Sequence, residues 1–77
     1  MPKQFFDEKE LANLAKKFRE KSGRNKSGAA RELDVHRATV SVAEGKPEQS
    51  LTAVRIRIIE KYSPYKVTGP FYFLEKK

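Results

Sequence analysis

Between Lys26 and Lys46 the chain carries a close set of donor side chains: Lys26 and Ser27, then His36, Arg37, Thr39 and Ser41, then Lys46. A guanidinium such as that of Arg37 offers paired N–H donors to two acceptors at once, and a lysine ammonium offers point-charge donors to an oxyanion. The same residue types could also form a nucleophilic or metal site, but each needs more than is present. Ser41 or Thr39 as a nucleophile requires an adjacent general base and an oxyanion-stabilising group, and neither is suggested. His36 is the only histidine and the chain has no cysteine, so no ligand set for a metal is available. A lone histidine at a helix start reads as a cap or a surface residue. The chemistry implied is binding: no enzyme, no cofactor, no metal and no evident small-molecule substrate.

The elements that must position these residues follow from spacing. Leu11, Leu14, Ala15 and Phe18 recur at helical intervals, and Asp7 with Glu10 has the spacing of a capping box. A first helix is predicted from about Glu8 to Lys21, ended by Ser22-Gly23. Asn25 caps a second helix over Lys26 to Leu33 with Ala29, Ala30 and Leu33 inward, and Ala30 is small enough to let a second backbone approach. Asp34-Val35 is a tight connection. The third helix spans about 36–44 with Val40 and Ala43 inward, ended by Gly45-Lys46-Pro47. Ser50 is expected to cap a fourth helix bearing Leu51, Val54, Ile58 and Tyr62 on one face, with Arg55, Arg57 and Glu60 largely on the other. Tyr65-Lys66-Val67 and Phe71-Tyr72-Phe73-Leu74, around Thr68-Gly69-Pro70, read as two strands of a hairpin over about 65–75.

Bulk properties set limits. A chain of 77 residues makes a single domain, 1–77, that buries only about 60% of its unfolded surface. With no disulfide available, a partner subunit is one way to gain stability. The absence of cysteine, and of an apolar run with a cleavage site at the start, leads to the expectation of a cytoplasmic protein. No run approaches the ~20 apolar residues of a membrane span. A formal net charge of +7 favours a polyanionic partner, nucleic acid first. The cluster Lys16, Lys17, Arg19 and Lys21 is expected to add long-range attraction, and Arg55 and Arg57 either reach phosphate or form a solvated face. The aromatic run Phe71-Tyr72-Phe73 is either core or interface, or a stacking platform for single strands.

The stretch Ala29-Ala30-Arg31-Glu32-Leu33, Asp34-Val35, His36-Arg37-Ala38-Thr39-Val40-Ser41 resembles the helix-turn-helix of Cro/repressor-like bacterial and phage regulators, and the run 37–41 is similar to the recognition helix of lac-repressor-like proteins. The resemblance covers about a quarter of the chain. It implies a mainly α, four-helix unit with the helix-turn-helix at about 26–45 and a C-terminal β-hairpin (α+β). It further implies a sequence-specific double-stranded-DNA-binding transcriptional regulator of repressor type, acting as a homodimer. The recognition helix at about 36–44 would lie in the major groove, with Arg37 bidentate to guanine. Ser41 and Val42 would follow one turn further along, Ala38 beside them, and Thr39 and His36 would reach base edges or phosphate. Lys26, Ser27 and Lys46 would hold the backbone. Departures from the family pattern are Asp34 where glycine is usual, Lys26 where a glutamine amide often braces the recognition helix, and apolar Val42, which shifts readout toward thymine methyl groups. The rival readings are an antitoxin, a protein-interaction module of the same shape, and, third, an RNA binder, which the narrow A-form groove disfavours.

Overall fold

The computed structural model describes residues 7–68 and 73–77. Four helices, α1 (Glu8–Lys21), α2 (Lys26–Leu33), α3 (Arg37–Gly45) and α4 (Thr52–Tyr62), precede an antiparallel hairpin of β1 (Tyr65–Thr68) and β2 (Phe73–Lys76). The radius of gyration, 11.5 Å, is the value of about 11.5 Å that ordinary globular packing gives a chain of this length. Among the described residues no helix is long and apolar enough to cross a membrane.

Local sequence explains the helix ends. Asp7 and Glu10 form the expected capping box, Glu10 N–H donating to Asp7 Oδ1 at 2.8 Å and Asp7 N–H to Glu10 Oε1 at 3.1 Å. Each carboxylate satisfies a backbone donor that has no partner inside the helix. Gly23 leaves α1 at φ +81°, a region that costs glycine no Cβ clash. Asn25 Oδ1 accepts from Gly28 N–H at 2.7 Å and starts α2. Asp34 then adopts φ 58°, ψ 48°, a left-handed conformation in which aspartate is tolerated. It reverses the chain so that Val35 N–H donates to Ala30 O at 2.9 Å, and α3 follows after residues 34–36.

The core collects Leu11 and Ala15 of α1, Ala29, Ala30 and Leu33 of α2, Val40 and Ala43 of α3, and Ile58 and Ile59 of α4. Leu14, Phe18, Leu51, Val54 and Tyr62 pack around it half-buried. The start of α4 differs from expectation: Leu51, not Ser50, is the N-cap, and no side chain caps it. The Thr52 hydroxyl donates instead to the Glu8 carboxylate at 2.9 Å, so the hydroxyl that could serve the helix end is engaged by α1.

The hairpin packs on its own chain. In the β1–β2 register Val67 pairs with Leu74 and Lys66 with Glu75. Val67 and Leu74 therefore share one face, which lies against the core, while Lys66 and Glu75 form an ion pair of 3.5 Å on the other. Val67 N–H donates to the Glu60 carboxylate at 3.0 Å, the Phe18 and Tyr65 rings lie 6.2 Å apart, and Lys77 Nζ donates to the Glu60 carbonyl. A free two-stranded hairpin is marginal in water; these contacts supply what it lacks. The second strand, Phe73–Lys76, continues past the expected end at Leu74. Thr68, expected in the turn, instead ends β1, whereas the expected Gly69-Pro70 turn and the expected strand residues Phe71 and Tyr72 lie outside the described residues, as does the ring of Phe73.

Candidate nucleic-acid interface

The two faces of α3 differ in kind. Val40, Ala43 and Glu44 are buried, whereas Arg37, Ala38 and Gly45 are exposed and Ser41 and Val42 half-buried between them. The spacing 37, 38, 41, 42, 45 is one side of a helix with 3.6 residues per turn, so the outward stripe carries a guanidinium, two methyl-bearing side chains and a hydroxyl. His36, the N-cap of α3, makes no side-chain cap bond and is exposed. Thr39 is half-buried on the flank of the stripe, and the Lys46 side chain is exposed just beyond its end.

The start of α2 reaches the same stripe. Lys26 Nζ donates to Ser41 Oγ at 3.3 Å, so Lys26 braces α3 although it has no amide. Ser27 is exposed one residue further on. The first turns of α2 and α3 contain no acidic residue, whereas α1 begins with Asp7, Glu8 and Glu10. The partial positive charge at a helix N-terminus is thus neutralised in α1 and left open in α2 and α3.

What holds α3 in place is a pair of buried arginines. Arg19, at the end of α1, donates from Nε to Glu44 Oε2 at 2.6 Å and from Nη2 to Glu44 Oε1 at 2.9 Å, while its Nη1 donates to Arg24 O at 2.7 Å. The Glu44 hydrogen bonds raise the Arg19 pKa further above its ordinary value, against the opposing effect of burial. Arg55 of α4, 0% exposed, donates from Nε to Ala43 O and from Nη2 to Lys46 O, each at 2.8 Å, and from Nη1 to Glu8 Oε1 at 2.7 Å. It thereby satisfies carbonyls at the end of α3 that have no helical partner. Among the described residues every buried side-chain nitrogen and oxygen has a hydrogen-bond partner.

These contacts correct two sequence-based expectations. Arg19 does not belong to a solvated basic cluster, because its guanidinium is inside on Glu44. Arg55 neither reaches phosphate nor lies on a solvated face. Arg57 is exposed, but its Nη2 donates to Leu33 O at 2.6 Å and closes the end of α2. Nor was Glu44 singled out from sequence. The available signal was position: residue 19 continues the inward stripe from Ala15, residue 44 follows Val40 and Ala43, and residue 55 lies between Leu51 and Ile58-Ile59.

The far end of α2 is tied by polar contacts nearer the surface. Tyr62 Oη donates to Glu32 Oε1 at 2.5 Å, and Arg24 Nε donates to Glu32 Oε2 at 2.9 Å. Burial first, and then the Glu32 bond, push the Tyr62 hydroxyl up to about 12. The bonds from Tyr62 and Arg24 hold the Glu32 carboxyl below its usual range. Among the described residues no group of three or more His, Asp or Glu side chains could hold a metal ion. Chemically, the stripe can donate hydrogen bonds and present methyl groups, and the carboxylate that α3 itself carries, Glu44, faces inward with both oxygens engaged. Comparison with known proteins returns no matching family model, no matching curated sequence and no matching solved structure.

Proposed function

We propose that this protein is a sequence-specific, double-stranded-DNA-binding transcriptional regulator of the Cro/repressor-like helix-turn-helix type, with α3 as the recognition helix. The observation that carries the reading is the outward stripe of α3: donors and methyl groups on a helix fixed from behind by two buried arginines, with no carboxylate facing out. A major groove presents acceptors on guanine, adenine and thymine and a methyl group on thymine, which is the complement of that stripe. The left-handed Asp34 supports the same reading, since it gives the short turn between the two helices without glycine.

In this arrangement Arg37 takes the guanine N7 and O6 acceptors, Ala38 and Val42 lie against thymine methyl groups, and Ser41 reaches a base one turn on. His36 and Thr39 serve the rim of the groove. Ser27 at the start of α2 and Lys46 beyond α3 hold phosphates, and they set register without reading sequence. The protein acts as a homodimer, because one recognition helix reads only a half-site and two must lie about 34–36 Å apart to read both. The hairpin already packs its half-buried Val67–Leu74 face against its own core, so pairing of two copies would run along a strand edge.

Selection from random duplexes followed by affinity measurement across a salt series tests the proposal. The log of the binding constant should fall linearly with log salt, each phosphate contact adding about 0.9 to the slope, and Lys46→Ala should weaken all duplexes alike. A flat salt response with no selected sequence would reject DNA binding and favour a protein-interaction module. Sedimentation across a concentration series checks the dimer.

A further inference from the structure

We infer that Lys26 and Ser41 act as one unit that turns the Ser41 hydroxyl into a second base-reading donor, so that the recognised half-site presents acceptors to both Arg37 and Ser41. The inference rests on the DNA-binding reading above and adds to it the chemical class of base that the site accepts. A hydroxyl has one proton and two lone pairs, and by itself it can either donate or accept. Here the Lys26 ammonium donates to Ser41 Oγ at 3.3 Å. A lone pair of that oxygen is engaged from the α2 side, and the proton is left free to turn toward the groove. The adjacent positive charge also polarises the O–H bond, which strengthens it as a donor and weakens the oxygen as an acceptor.

The rest of the stripe gives no relief to a base that needs an acceptor. Arg37 only donates, Ala38 and Val42 are apolar, and Glu44 is 5% exposed with both oxygens on Arg19. In the major groove cytosine offers only a donor, its N4 amino group; guanine offers two acceptors, thymine one, and adenine one acceptor beside one donor. Ser41 stands four residues after Arg37, about 6 Å along the helix axis. The geometry thus points to a half-site with guanine at the Arg37 position and, at the Ser41 position, a guanine, adenine or thymine in preference to cytosine. Lys26 in this scheme is a positioning residue for Ser41 and not principally a phosphate contact.

A double-mutant cycle on the selected duplex tests this. Affinities of the wild type, Lys26→Met, Ser41→Ala and the double variant are measured on that duplex and on versions with each base substituted at the Ser41 position. Ser41→Ala is expected to weaken the selected duplex about tenfold, the loss of one charge-assisted hydrogen bond, and to flatten preference at that position alone. Lys26→Met should flatten the same position, the double variant should fall no further than Lys26→Met, and Lys26→Arg, which keeps a donor in reach, should restore the preference. Thermal melting of each variant verifies that the fold survives. If Lys26→Met weakens every duplex equally, leaves the preference intact and multiplies with Ser41→Ala, Lys26 is a phosphate contact and the pairing is wrong. If sequence-specific binding persists but Ser41→Ala changes no base preference, the pairing is likewise overturned while DNA binding stands. If the wild type binds no duplex even at low salt, the DNA reading itself fails and the inference falls with it.

Discussion

The inner and outer faces of α3 carry the same kind of chemistry to opposite ends. Behind the helix, Arg19 and Arg55 have their N–H groups on Glu44, on Glu8 and on main-chain carbonyls, out of water. In front, Arg37 projects from the first turn into solvent, with Ser41 a turn beyond. The lesson concerns how a net charge of +7 is to be read. A cation fixed by internal acceptors shapes the fold and contributes little to the attraction of a partner, whereas an exposed one is free to contact a polyanion. Charge counted along a sequence mixes the two. In this protein the mixture happens around a single helix, so substitutions on its two faces should separate cleanly into effects on folding and effects on binding.

The largest effect belongs to the inner face. Glu44→Ala leaves the Arg19 guanidinium buried without its carboxylate, and breaking a buried pair in this way costs about 3–5 kcal/mol. For a domain of this size that is a fall in Tm of at least about 12 °C, measurable by calorimetry or circular dichroism. Replacing both partners by apolar residues, Arg19→Met with Glu44→Leu, should recover most of the loss, because neither charge then has to be desolvated. An unchanged Tm for Glu44→Ala would mean that the outward stripe is not fixed from behind, and the contrast between the faces would disappear.

A smaller effect is expected where α2 supports α3. Ala30 is 4% exposed within the core that also holds Val40 and Ala43. Ala30→Leu adds three heavy atoms to a packed site and should cost roughly 1–3 kcal/mol. The variant sharpens the comparison because it disturbs the inner face without touching a charge. If it lowers Tm but leaves a bound duplex equally tight at temperatures where it is folded, the position of α3 tolerates repacking of its support. If affinity falls as well, the support and the stripe are coupled.

The parts of this molecule that sequence reveals are the parts that local chemistry decides. Asp7 with Glu10, Gly23, Asn25 and Asp34 each act on backbone groups within a few residues, and α1, α2 and the turn after α2 fall where those residues put them. Ala29, Ala30, Leu33, Val40 and Ala43 were legible as inward for the same reason, since helical spacing is a local property. Arg19 with Glu44 and Arg55 with Glu8 were not, because the partners lie 25 and 47 residues apart and a charged side chain by default is assigned to the solvent face. Ser50 misled for a related reason: a good cap residue loses when a neighbouring residue, Thr52, starts the helix and bonds to another helix. In the hairpin, strand propensity favoured the aromatic run, whereas burial of Val67 with Leu74 and the facing Lys66–Glu75 pair set the register at 73–76. Of the candidate site, the exposed positions 36–38 and 46 were readable, and the link from Lys26 to Ser41 required the two helices to be placed in space.

The smallest effect on stability, and the sharpest statement of the comparison, is expected from Arg37→Ala. The side chain is exposed in the first turn of α3, and a surface substitution away from caps and buried partners stays within about 0.5 kcal/mol. Alanine also has a slightly better helix propensity than arginine, so the Tm should be unchanged or marginally higher. The sign matters: a cation near a helix N-terminus opposes the helix dipole, and removing it relieves that penalty. Binding should move the other way. A bidentate contact to guanine is worth about 1–3 kcal/mol of discrimination, so the variant should bind the selected duplex more weakly and lose preference at one or two base positions, while Lys46→Ala keeps the preference and loses affinity throughout. A substitution that leaves folding untouched while erasing a base preference can act only through the outer face. Should Arg37→Ala instead lower all affinities uniformly, Arg37 belongs with the phosphate contacts, and base reading by α3 would rest on Ser41, Ala38 and Val42 alone.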